Sequence, residues 1–179
     1  MLEIVVPEQE FFDDETQTFI LVDRCKLQLE HSLISLSKWE SKHNKPFLSS
    51  DKTTEETLDY IKDMTIGKPP PDQTYHALTR SNFADINAYI EAPMTATTFS
   101  DTSVAGRNRE IITSELIYYW MITQNVPMEC QKWHLNRLIT LVRVCGIKNS
   151  PEKRKGHQSL AARRRELNAS RRKALNTSG

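Results

Sequence analysis

Cys130 and His134 stand four residues apart, the spacing that puts a thiol and an imidazole on one face of a helix. This is the nearest approach in the chain to a metal site or a nucleophilic pair. Structural and catalytic zinc sites take three or four protein ligands, and His31, His43, His76 and His157 fall in no HExxH or carboxylate pattern that would complete a set. A buried thiol and a hydrogen-bonded imidazole are therefore expected, and no metal. A cysteine nucleophile needs a lowered thiol pKa, a general base and an oxyanion hole, and no motif marks any of them. Asp13, Asp14 and Glu15 cluster in a turn region, where a solvated loop accounts for them. Gly67, Gly106, Gly146, Gly156 and Gly179 are scattered and form no GxGxxG or GKS/T phosphate loop, so ATP and NAD are not expected. The reading is a protein with no catalytic residues and no cofactor.

Binding is the better-supported class. Between residues 109 and 147, 21 of 39 positions are apolar or aromatic. Within that stretch Tyr118, Tyr119 and Trp120 are consecutive, and consecutive helical residues point about 100° apart. All three cannot serve one narrow core contact. Either the helix is wrapped on every side by its own domain, or one of the three faces a partner. Trp133 and Trp39 pose the same alternative of core or interface.

The elements that must position these side chains follow from local patterning. Apolar alternation in residues 2–6, ended by Pro7, and strand-like runs at 19–22 and 26–29 predict a small antiparallel sheet over about 2–30. Leu33, Ile34, Leu36 and Trp39 recur at helical spacing after Ser32, with an end near Asn44 before Pro46. Thr53 and Glu56 have capping-box spacing and predict a helix to about Met64, with Leu58, Ile61 and Tyr60 inward. Residues 67–71, GKPPP, make a stiff connector. A short helix after Asp72 and another capped by Ser81, with Phe83, Ile86 and Ile90 on one face, precede a long loop at 93–108. Two strong helices are predicted over 109–124 and 129–145, with Asn125, Val126 and Pro127 as the turn between them. The fold class is thus α+β, mainly α: a helical body over 1–149 followed by a tail at 150–179.

Size and charge narrow the class further. A body of about 150 residues buries roughly 68–70% of its unfolded surface and needs no disulfide to fold. Cys25, Cys130 and Cys145 are odd in number and lack a CxxC pair, which fits free thiols in a reducing compartment. The start of the chain has no basic, apolar signal-peptide pattern, and the longest apolar run, at 116–122, has seven residues against about 20 for a membrane span. No membrane is expected, and the NAS sequence at 168–170 is read as a coincidental glycosylation match.

The net charge of +1 conceals an asymmetry. Residues 151–179 hold Lys153, Arg154, Lys155, Arg163, Arg164, Arg165, Arg171, Arg172 and Lys173 against two Glu, leaving the tail at +7 and the body at −6. Such a split calls for an electrostatic partner: nucleic acid, an acidic protein surface or another copy of the chain. The tail has no Phe, Tyr or Trp on which bases could stack, so nucleic acid is the weaker expectation. Leu160, Leu167 and Ala174 fall at heptad spacing and predict a helix over 159–175 that needs a partner for its narrow apolar stripe. Docking on an acidic, partly apolar protein surface suits it better.

Several stretches resemble a family of small proteins from the tail-gene region of tailed bacteriophages. They are residues 29–42 (LEHSLISLSKWESK), 45–48 (KPFL), 94–99 (MTATTF), 109–121 (REIITSELIYYWM), 133–138 (WHLNRL) and the basic ending at 167–179. The resemblance implies a tail assembly chaperone in the host cytoplasm that coats the tape-measure protein and helps recruit tail-tube subunits, with homo-oligomerisation expected. It carries over no catalytic motif. On this reading Tyr118, Tyr119, Trp120 and Trp133 bind the apolar helical client, and Arg163, Arg164, Arg165, Arg171, Arg172 and Lys173 form the electrostatic tail. The alternative is a structural head-tail or tail protein of the virion, anchored through that tail.

Overall fold

Alternation of apolar and polar side chains opens the chain as strand β1 (Leu2–Val6), which pairs antiparallel with β4 (Cys25–Leu29) in the register Leu2↔Leu29 to Val6↔Cys25. Between them β2 (Gln9–Asp13) pairs with β3 (Thr18–Val22), from Gln9↔Val22 to Asp13↔Thr18. The two ladders keep one register, so they form a single long hairpin interrupted beside Pro7, which has no N–H to donate. The structure, a computed structural model, describes residues 1–13, 17–99, 110–149, 164–165 and 167–171.

The predicted small N-terminal sheet is present, as two short ladders. Strand β2 departs from expectation, because QEFFD has no alternation of its own. Its pairing with β3 makes it a strand, a tertiary contact overriding local pattern. Residues 14 and 15 of the expected acidic turn lie outside the described residues.

Helix α1 (Leu33–His43) begins where the helical spacing predicts, after Ser32, which caps it: its hydroxyl accepts from the Ser35 N–H. It ends at Asn44, where a left-handed φ of 53° lets the chain turn toward Pro46. Helix α2 (Thr54–Met64) has the predicted reciprocal box: Thr53 accepts from the Glu56 N–H while the Glu56 carboxylate accepts from the Thr53 N–H. Leu58, Tyr60, Ile61 and Met64 are buried. After α2 the chain makes a brief bridge to β4, with Ile66 N–H donating to Gln28 O at 2.8 Å.

The connector at 67–71 leads to the short α3 (Gln73–His76), which packs on β3. Helix α4 (Arg80–Glu91) is capped by Thr79 rather than Ser81, with Asn82 completing a box. Asn82 also donates to Val5 O at 3.2 Å, tying this helix start to β1, a constraint that local spacing does not contain. Its buried positions are Asn82, Ile86 and Tyr89, while Phe83 and Ile90 are half-buried. The long loop expected at 93–108 is irregular as far as residue 99, and its remainder lies outside the described residues.

The two strong helices are shorter and more broken than predicted. Helix α5 is Ser114–Thr123, because Thr113 caps it and residues 110–113 remain non-helical. A 3₁₀ turn at Met128–Lys132 precedes α6 (Leu135–Asn149) where one continuous helix was predicted. Trp133 and His134 interrupt it: His134 bridges to Ser32, and the Leu135 N–H donates to His31 O at 2.7 Å.

The inner side of β1 and β4, with Ile4, Val6, Leu27 and Leu29, joins Leu33, Leu36, Trp39, Ile61, Met64, Ile86, Ile117, Met121, Leu135 and Leu138 in the core. Each such side chain contributes about 1.5–3 kcal/mol by leaving water. Contacts divide the chain into one compact unit, Met1–Val142, and a second, Arg143–Gly179. The tail helix predicted over 159–175 falls largely outside the described residues; within it, 164–165 and 167–171 are helical and exposed. Arg163, Arg172 and Lys173 lie outside the described residues.

Candidate functional site

Helix α5 carries the aromatic run, and its placement starts with a carboxylate on another helix. Glu40 of α1 is buried, accepting from the Ser114 N–H at 2.7 Å through Oε2 and from the Phe47 N–H at 2.8 Å through Oε1. A negative charge at the first turn of α5 meets the unpaired N–H groups and the positive end of the helix dipole. At the other end the Val126 N–H reaches Met121 O at 2.8 Å and the Asn125 N–H reaches Ile122 O, with Asn125 left-handed at φ 53°. This pair of bonds is a Schellman stop, which requires the positive φ that Asn tolerates. Val126 and Met121, the positions such a stop pairs through apolar side chains, are both buried.

Only one stripe of α5 enters the core: Ser114, Ile117 and Met121. The helix is apolar on most of its circumference, so the remaining apolar side chains stay at the surface. Tyr119 is 60% exposed and Ile122, three residues on and on the same face, 65%. Tyr118 and Trp120 are half-buried. Tyr118 donates its phenolic O–H to Gln131 Oε1 at 3.0 Å, linking α5 to the 3₁₀ turn, and burial pushes its pKa up.

Trp133 ends that turn, 36% exposed, with the Arg137 guanidinium carbon 4.3 Å from its ring centroid. The guanidinium over the indole ring is a cation–π contact that fixes the side chain. Trp39 has the opposite fate: it is fully buried, and its Nε1–H donates to Glu56 O at 2.7 Å. Among the sequence-selected aromatics, Tyr119 and Trp133 present the most surface, and Ile122 and the exposed Met128 add to it. Those two were not singled out from sequence, since the edge of a single buried stripe is invisible until its packing partner is known.

Cys130 is a buried thiol and His134 a buried, hydrogen-bonded imidazole, as expected, but they do not share a helix face. Cys130 lies in the 3₁₀ turn and His134 in the bridge to Ser32, so the helix that would have aligned them is absent. His134 Nδ1 accepts from the Asn136 N–H, which leaves Nε2 protonated and donating to Tyr89 O at 2.9 Å. His31 Nδ1 lies 2.6 Å from Tyr60 Oη. Burial, with the neighbouring His134, pushes His31 down to about 3, so its ring is neutral near pH 7. Burial likewise pushes the Cys25 thiol up, away from the thiolate form.

Among the described residues no group of three His, Cys, Asp or Glu could hold a metal ion, and no helix is long and apolar enough to cross a membrane. A surface cleft lined by Glu40, Ser41, Asn44, Lys45, Pro46, Thr113 and Glu115 contains neither thiol nor imidazole. What α5 and the following turn can do is bind apolar surface. Comparison with protein-family models, with curated protein sequences and with solved structures finds no match to this chain.

Proposed function

We propose that this chain is a non-enzymatic tail assembly chaperone of a tailed bacteriophage, acting in the host cytoplasm to cover apolar helical segments of the tape-measure protein. One observation carries the reading: α5 buries a single stripe and leaves Tyr119 and Ile122 exposed one turn apart, with Trp133 exposed on the segment that follows. Rigid aromatic side chains at a surface are the usual anchors of a protein contact, and amphipathic helices dock on such surfaces. The resemblance noted above names the client. Coexpression of the full chain with the tape-measure protein tests the proposal. Copurification that is lost in Tyr119→Ser/Ile122→Ser/Trp133→Ser, with the variant still folded, supports it. Failure of the unaltered chain to copurify ends it.

The opposite charges of body and tail favour a second reading, a structural component of the virion held to an acidic neighbour through its basic end. Mass spectrometry of purified particles separates the two. Stoichiometric presence supports the structural role, and absence from mature particles supports the chaperone.

A further inference from the structure

The body's acidic excess is concentrated in one stretch of sequence. Residues 8–23 hold Glu8, Glu10, Asp13, Asp14, Glu15 and Asp23 and no Lys or Arg, a net −6. Residues 1–7 and 24–150 carry fifteen cations and fifteen carboxylates and cancel. The whole charge separation of the chain therefore lies between the β2–β3 hairpin segment and the tail at +7.

The hairpin is also the least covered apolar part of the sheet. Phe12 pairs with Phe19 and Glu10 with Leu21, so alternation puts all four side chains on one face. That face is open: Phe19 is 69% exposed and Leu21 62%, Phe12 and Glu10 are exposed, and the two phenyl rings meet edge-on at 5.1 Å. Val22, on the other face, is buried. Among the described residues Glu8, Glu10 and Asp23 make no ion pair, whereas Glu3 on β1 is paired with Lys26.

The tail has the converse pattern. Leu167 is exposed in a helical stretch, and Arg164 and Arg171 fall three and four residues from it, on its own side of a helix. A leucine flanked by guanidiniums matches phenyl rings flanked by carboxylates in apolar surface and in sign. Guanidinium also stacks favourably on an aromatic face.

We propose that the β2–β3 hairpin is the docking site for the basic, leucine-bearing segment 153–175 of a second copy of this chain. The contact joins two different surfaces, so it propagates into a ring or filament or closes as a reciprocal exchange between two copies. It uses none of the residues assigned to the client, and its failure leaves the α5 proposal untouched.

Light scattering and sedimentation of the nuclease-treated full chain test it. The expected result is self-association at about 0.05 M salt that weakens at least about tenfold at 0.5 M, where screening shortens the reach of each charge. Glu8→Lys/Glu10→Lys/Asp23→Lys and Arg164→Glu/Arg165→Glu/Arg171→Glu each lose self-association when alone. Mixing the two variants restores it, because each reversed surface then meets its complement. Phe19→Ser, on an exposed position, weakens association without unfolding the chain and keeps the test decisive if a reversal fails to fold. A wild-type monomer at low salt, folded reversals that associate as before or fail to rescue each other, or association abolished by nuclease would overturn the proposal.

Discussion

His31 and His134, 103 residues apart in sequence, meet edge-on in the core with ring centroids 5.1 Å apart. They join β4, α2, α4 and the start of α6: His31 through Tyr60, and His134 through the carbonyl of Tyr89. A second proton on His31 would have to sit in the buried core beside the His134 ring.

Stability should therefore depend on pH. The unfolded chain protonates His31 near its ordinary value of 6.5, whereas the folded chain refuses the proton until about 3. Stability from this group is complete above about 6.5 and falls, by up to ~1.4 kcal/mol per pH unit, as pH drops toward 3. Urea unfolding between pH 7.5 and 4, with NMR titration of the His31 ring, checks this. A ring that titrates between pH 6 and 7 in the folded protein contradicts it.

Replacing Glu40 should destabilise more than its position on a helix surface pattern suggests. Glu40→Ala leaves the buried N–H groups of Phe47 and Ser114 without an acceptor, each worth about 1–3 kcal/mol. Glu40→Gln keeps the shape and one acceptor oxygen and should cost roughly half as much. Denaturant midpoints of the two variants measure the difference.

The tryptophans should separate spectroscopically. Trp39 is sealed and hydrogen-bonded to Glu56 O, whereas Trp133 lies under Arg137 at the surface. Acrylamide should quench Trp133 readily, the half-buried Trp120 less and Trp39 hardly at all, so Trp133→Phe lowers the quenchable emission and Trp39→Phe raises its share. Trp39→Phe should cost about 1–3 kcal/mol by losing the Nε1–H bond to Glu56 O and leaving a cavity. Equal quenching in both variants would contradict these placements.

Asn82 closes the cap of α4 and donates to β1 at Val5 O. Asn82→Ala should lower stability by ~1–2 kcal/mol, against about 1 for Thr79→Ala, which removes the cap alone. A smaller loss for Asn82 would mean that the link to β1 contributes nothing. Chemical denaturation resolves the pair.

Features set within a few residues were legible in the amino-acid order. The helix start after Ser32, the Thr53 cap, the end near Asn44, the helix to Met64 and the inward Leu58 and Ile61 depend on neighbours three or four positions away. The same local reading placed a turn at Asn125 and an N-terminal sheet. It failed where a distant group intervened. Strand β2 exists through β3, α4 starts early where Asn82 reaches β1, and the helix through Cys130 breaks because His134 pairs with Ser32. For the candidate surface, the order of residues settled that α5 is apolar on most sides. Only the packing of α1 against one stripe, anchored by Glu40, decided that Ile117 and Met121 are core while Tyr119 and Ile122 meet water. Helical periodicity assigns residues to faces, but which face is buried depends on what the rest of the chain brings against it.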